Sequence, residues 1–177
     1  MTEKNDTSML TEKYIFRNIR QEEIAQTSEI EKICFPPNEA CSYEHMEDRV
    51  KKAPELFLVA EDRATGKIAG FLNGLATDRE HLTDDFFTDA EMHDPKGKNI
   101  MLLGLDVLPK YQHQGLAREL VRCYKEREKV NGREKLILTC LPDKVEMYQK
   151  FGFKDHGIGD SVWGGEAWHE MSVELWG

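Results

Sequence analysis

The sequence predicts an α/β domain in which short apolar strands alternate with amphipathic helices. Three observations predict it. The apolar run Met101–Val107 is too short for a helix and is closed by Pro109, so it reads as a buried strand. A tight polar turn, Lys110–Gly115, follows, and then a helix from about Leu116 to Lys129 with Leu116, Leu120, Val121 and Tyr124 on one side. Finally, 177 residues with 40% hydrophobic and 32% charged side chains suit one domain with a normal core. No internal repeat, low-complexity tract or second domain interrupts the pattern.

Taken in order, residues 1–12 are polar and read as a frayed leader, with the folded domain spanning 13–177. Tyr14–Arg20 alternates apolar and polar residues, as a half-buried strand does. Glu22–Cys34 is expected to be a helix with Ile24, Ile30, Ile33 and Cys34 inward, stopped by Phe35-Pro36-Pro37. Tyr43–Ala53 is a charged helix with Met46 and Val50 inward, ended by Pro54. Phe57–Ala60 and Ile68–Leu72 are strands of a hairpin with its glycine at Gly66, and Asn73-Gly74 is a place for a bend. From Asp78 to Lys98 the chain is polar and acidic, with Thr83 poised to cap a short helix through Phe86 and Phe87. This segment is expected to form a flexible lip carrying His93. Leu136–Cys140 is a strand, Pro142-Asp143 opens a short helix through Tyr148, and Phe153–Gly177 reads as a closing hairpin ending in a strand over Trp168–Leu175.

Charge and cysteines narrow the function. A net charge of −9 argues against nucleic acid as a partner, because phosphate backbones demand a basic face. The same charge suits a cationic small substrate, or simply solubility. No run is long enough for a membrane helix and the first ten residues carry no apolar signal segment, so a cytoplasmic location without membrane contact is expected. Cys34, Cys41, Cys123 and Cys140 form no metal-ligand spacing, so no metal is expected and the thiols read as reduced and mostly buried.

The strand–turn–helix at Met101–Lys129 aims unpaired N–H groups of a first helical turn at one place, and Gly115 leaves room for a phosphate against the backbone. Gln112-His113-Gln114-Gly115-Leu116-Ala117 matches the Gln/Arg-x-x-Gly-x-Gly/Ala signature of the GCN5-related N-acetyltransferases. Tyr148–Phe153 resembles that family's Tyr-x-x-x-Gly-Phe element, and the resemblance covers about residues 14–176 in the same order and spacing. Phe35–Ala40, Ala53–Leu56 and Glu80–Thr83 make the chain especially similar to the arylalkylamine, serotonin-type branch.

The resemblance implies a mixed, mostly antiparallel sheet of about seven strands flanked by about four helices. It implies that acetyl-coenzyme A is the cosubstrate. Its pyrophosphate would be held by Gln112, His113, Gln114, Gly115, Leu116 and Ala117, and its pantetheine arm by main-chain groups of Leu105, Asp106 and Val107. A strand N–H near Leu105 or Asp106 would polarise the thioester carbonyl. Tyr148 would protonate the leaving thiolate. Glu39 falls on a position assigned as general base in the insect enzymes, although Ala40 and Cys41 replace the Pro and Leu that follow there. The two strand histidines of the vertebrate serotonin enzymes correspond to Met101 and Leu103, which carry no proton. Asp106 is a second base candidate, but strand alternation turns it from the substrate. The expected reaction is direct acetyl transfer to a primary amine of a small molecule, an arylalkylamine suggested by the Phe-Pro-Pro loop and by Trp163 and Trp168. A polyamine or peptide acetyltransferase and a non-catalytic acetyl-coenzyme A sensor are the alternatives. The amine itself, and whether the chain is a monomer or homodimer, are not written in these motifs.

Overall fold

The computed structural model describes residues 9–176. Seven strands form one sheet in the order β1 (Tyr14–Asn18), β2 (Phe57–Asp62), β3 (Ile68–Thr77), β4 (Asn99–Val107), β5 (Lys135–Cys140), β7 (His169–Glu174) and β6 (Lys154–Ile158). Every neighbouring pair is antiparallel except β4 and β5. The parallel pair needs a crossover, which α4 (Leu116–Val130) supplies. The mixed, mostly antiparallel sheet of the sequence-based expectation is thus the one observed.

Helices cover both faces. α1 (Ile24–Cys34) and α2 (Tyr43–Lys52) bury Ile24, Ile30, Met46 and Val50 against Phe57, Val59 and Phe71. α4 packs Leu116, Leu120, Val121 and Tyr124 on the opposite face, among Leu58, Leu72, Leu75 and Leu136. β3 lies between, and all ten of its residues are buried. Gly66 takes φ +72° in the β2–β3 turn, a conformation that suits glycine. At Asn73-Gly74 the register steps: Asn73 faces Gly104 but Gly74 faces Leu102, so β4 accommodates one extra residue, Leu103. Glycine is needed at 74, because a Cβ there would stand 2.7 Å from the Met101 carbonyl oxygen.

Several local expectations are corrected. Ile33 is 59% exposed, whereas Glu31 is 4% exposed and takes the inward position. The buried face therefore runs through Ile24, Thr27, Ser28, Ile30 and Glu31, polar residues included. Thr83 does not cap α3 (Asp85–Thr88): Asp84 is the cap residue, and its carboxylate reaches another loop. His93 is no lip residue. Its ring is enclosed, accepting the Ala76 N–H through Nδ1 at 3.0 Å and meeting Glu55 through Nε2 at 3.0 Å. Of the leader, residues 1–8 lie outside the described residues, while residues 9–13 are helical, with Leu10 packed on the core.

Candidate active site

The site follows from a divergence of two strands. β4 and β5 pair only at Asn99, Ile100 and Met101, although β4 continues to Val107 and β5 to Cys140. On its other edge β4 stays paired with β3 as far as Val107. From Leu102 onward, one edge of β4 therefore presents main-chain donors and acceptors to open space, which an extended ligand can pair with. A cavity of about 1570 Å³ fills the gap, lined by Leu102, Leu103, Gly104, Leu105 and Val107 on one side and Leu138 to Leu141 on the other.

One end of this cavity is the loop between β4 and α4, which contributes Gln112, His113, Gln114, Gly115, Leu116 and Ala117 to its wall. His113 has φ +62° and Gly115 φ +84°, so successive N–H groups turn inward as a nest at the start of a 15-residue helix. The loop is pinned from outside. Gln112 Nε2 donates to the Val107 carbonyl at 3.0 Å, and Lys13 Nζ donates to Gln114 Oε1 at 2.8 Å. Lys13, Arg118, Arg122, Lys125, Lys144 and Lys150 also line the cavity, together with the acids Glu31, Glu39, Glu119 and Asp143. The inward-turned N–H groups at this helix start suit an anion.

Tyr148 stands where the strands part. It comes from α5 (Val145–Lys150), which a short 3-10 turn at Pro142–Lys144 launches after β5. Its ring packs edge-on against Phe151 at 6.1 Å and Phe153 at 5.6 Å, which fixes its direction while it lines the cavity. Burial, the largest cause, pushes its phenol well above the ordinary range. Tyr148 therefore stays a proton donor at neutral pH. All four thiols are likewise neutral: burial pushes Cys34, Cys41 and Cys140 up to about 12 and Cys123 to about 11. None offers the thiolate a covalent mechanism needs.

The opposite end is a mouth made of three loops. Trp163 Nε1–H donates to the Glu39 carbonyl at 2.8 Å, and Asn38 Nδ2 donates to the Gly164 carbonyl at 3.1 Å. Asp84 joins the third loop, accepting from the Ser161 hydroxyl at 2.5 Å and the Val162 N–H at 3.1 Å. Phe87 and Trp163 stack with ring centroids 5.0 Å apart, and Trp168 donates from Nε1 to the Trp163 carbonyl at 2.8 Å. Glu39, Phe87, Trp163 and Trp168 all line the cavity. Desolvation, then the charges of Glu166 and Asp143, raise the Glu39 carboxyl above its ordinary value.

Of the residues expected from sequence, Tyr148, Glu39, Leu105, Val107 and Gln112 to Ala117 meet in this one cavity. Asp106 does not line it. Asp106 faces Phe71 across the ladder, and its fully buried carboxyl points with that ring to the α1–α2 side. Sequence reasoning missed Glu31 and Arg49, which line the inner wall although each is nearly buried. Their spacing held a signal: Arg49 stands three residues after Met46, and Glu31 seven after Ile24. Among the described residues, no cluster of His, Cys, Asp and Glu could hold a metal ion, and no helix is long and apolar enough to cross a membrane.

Comparison with known proteins gives this geometry a family. The chain is 27% identical over 158 residues to the probable hydrolase YhcX of Bacillus subtilis, covering 85% of this chain but only 30% of that protein. The loading GNATL domain of CurA from Lyngbya majuscula superposes with a TM-score of 0.78 at 18% identity, over 92% of this chain and 98% of that one. The YhbS acetyltransferase of Escherichia coli, solved in complex with CoA, superposes with a TM-score of 0.62 at 20% identity, over 92% and 82% of the two chains. These likenesses establish the fold. The model of the acetyltransferase (GNAT) family matches residues 24–153, most of the chain, and the protein belongs to that family.

Proposed function

We propose that this protein is an acetyl-coenzyme A-dependent N-acetyltransferase that acts on the primary amine of a small arylalkylamine by direct transfer in a ternary complex. The observation that carries the reading is the single cavity that joins an anion-binding helix start, an unpaired strand edge, Tyr148 and an aromatic mouth. The cofactor's phosphates suit the Gln112–Ala117 nest and the surrounding cations. Its pantetheine arm suits the free edge of β4 at Leu105 to Val107, which would bring the thioester towards Tyr148. The aryl group suits Phe87, Trp163 and Trp168, whose indole N–H groups are already satisfied by loop carbonyls and whose rings remain for apolar contact.

Within that complex Glu39 accepts the first proton, converting ammonium to amine. The amine attacks the thioester carbonyl and a β4 main-chain N–H holds the oxyanion. Tyr148 then protonates the departing sulfur. An alkylammonium resembles lysine, with a pKa of about 10.4, so a raised carboxyl beside it narrows the gap the proton must cross. Glu39 meets that requirement.

A polyamine is the second reading, and one observation favours it: Glu39, Asp143 and Glu166 crowd together at the mouth, where an extended polycation would relieve their repulsion. Thiol release from acetyl-coenzyme A across tryptamine, phenethylamine, spermidine, lysine and short peptides separates the readings. Turnover confined to the arylalkylamines is the expected result. Preference for spermidine or peptides discards the substrate assignment, and tight coenzyme binding without turnover makes the protein a sensor.

A further inference from the structure

Behind the inner wall of the cavity, four polar side chains from four elements are buried together. They are Glu31 of α1, Arg49 of α2, Asn73 of β3 and Asp106 of β4, exposed by 4%, 3%, 1% and 0%. Three of them, Glu31, Asn73 and Asp106, converge on the space left by Gly104. A Cβ there would stand 3.2 Å from Asp106 Oδ1, 3.2 Å from Asn73 Nδ2 and 3.6 Å from Glu31 Oε1.

Their hydrogen bonds leave a particular deficit. Glu31 Oε2 accepts the Cys41 N–H at 3.0 Å, Arg49 Nη2 donates to the Phe87 carbonyl at 2.9 Å, and Asn73 Nδ2 reaches the Gly104 carbonyl at 3.4 Å. Glu31 Oε1 and both Asp106 oxygens have no partner among the described residues. Orphaned buried carboxylate oxygens are costly, and two neighbouring carboxylates cannot both ionise away from water. A proton held between them converts two orphan acceptors into one O–H···O bond. Burial, followed by the neighbouring Glu31 carboxyl, pushes the Asp106 carboxyl well above its ordinary range, against the opposing pull of Arg49. Asp106, the more deeply buried of the two, is assigned the proton, with the Arg49 charge opposing it. The other titratable groups nearby are Cys34, Cys41 and Tyr148, all held neutral by burial. Of the two carboxyls, only Glu31 reaches the cavity.

We infer that Glu31 is a second proton acceptor in the transfer, and that Asp106 is a positioning residue that backs it through a shared proton. The inference rests on the N-acetyltransferase reading. It completes the proton count of that reaction. The ammonium carries three hydrogens and the amide keeps one. Glu39 takes the first; the nitrogen lone pair then forms the C–N bond as the carbonyl π pair moves to oxygen. The nitrogen of the adduct is now positive and far more acidic than the free ammonium, and it gives its second proton to Glu31. When the oxyanion reforms the carbonyl, the C–S bond breaks and its pair leaves with sulfur, which takes the proton of Tyr148. Of the two protons collected, one restores Tyr148 and the other leaves through the cavity to water.

Infrared spectroscopy tests the shared proton without reference to turnover. A protonated carboxyl band that shifts in D₂O is expected at neutral pH and should vanish in Asp106→Asn; its absence from the wild type overturns the pairing. For catalysis, the isosteric Glu31→Gln should lower kcat about 10²-fold or more while acetyl-coenzyme A, measured by calorimetry, binds within about twofold of wild type. Asp106→Asn still offers Glu31 an N–H donor, so it should keep more activity than Glu31→Gln and move the acid limb of the kcat–pH profile. Undiminished kcat in Glu31→Gln, beside an active wild type, overturns this inference alone. A wild type that turns over no amine overturns the parent reading, and this assignment with it.

Discussion

Replacing Tyr148 by phenylalanine removes one oxygen and keeps the edge-on packing against Phe151 and Phe153 at 6.1 and 5.6 Å. The fold should therefore be undisturbed, and the loss should fall on chemistry. A positioned general acid contributes about 10²–10⁴-fold, or about 3–5 kcal/mol of barrier. The leaving group here is a thiol whose pKa is about 8.5, so it departs as a thiolate with less help than an alkoxide needs. That places the expected loss in kcat at the low end, about 10²-fold at neutral pH. The KM for acetyl-coenzyme A should change little, since the phosphates and pantetheine are assigned to other parts of the cavity. The deficit should also shrink as pH rises past the thiol's own pKa, because the departing sulfur then needs no proton. Initial rates of thiol release from pH 6 to 10, for wild type and Tyr148→Phe, check both points. A variant with kcat within about threefold of wild type at neutral pH would refute the role of Tyr148.

Three further outcomes are expected. Glu39→Gln should lower kcat/KM for the amine. In the wild type the same parameter should fall as pH drops through the Glu39 pKa, which lies above the ordinary carboxylate range because burial and its acidic neighbours disfavour the charge; a pH profile that Glu39→Gln leaves unchanged would remove Glu39 from the reaction. Gly115→Val forces a β-branched residue into φ +84° and should cost about 1–2 kcal/mol of stability, read by denaturant titration, along with a much higher KM for acetyl-coenzyme A. Gly164→Ala would put a Cβ 2.6 Å from the Asn38 carbonyl oxygen at φ +64°, pushing the Trp163 loop from the Phe35–Ser42 loop. Its KM for the amine should rise while coenzyme affinity, measured by calorimetry, stays at the wild-type value.

Much of this was legible in the sequence, for physical reasons that differ by region. The Met101–Ala117 stretch was readable because a short apolar strand, a glycine at a turn and an amphipathic helix each leave a local signature, and the structure returns β4, the nest and α4 in those places. The bend at Asn73-Gly74 was readable because glycine there answers a close approach to Met101. What was not legible depended on partners distant in the chain. Asp84 looked like one acid among several until the fold set it against Ser161 and Val162. The inward face of α1 was expected to include Ile33, whereas Glu31 takes the buried position. It does so because α1 packs on a sheet face where Asp106, Asn73 and Arg49 offer a polar neighbourhood. His93 failed as a lip residue for the same reason, since its partners, Ala76 and Glu55, are 17 and 38 positions away.

The central claim is that the cavity joins an acetyl group to an amine nitrogen, and product analysis tests it most directly. Mass spectrometry of the protein incubated with acetyl-coenzyme A and tryptamine should find the N-acetyl amide and free coenzyme A in equal amounts, with no acetyl group retained on the protein. Coenzyme A released without amide, or an acetylated protein formed in the absence of amine, would contradict the account.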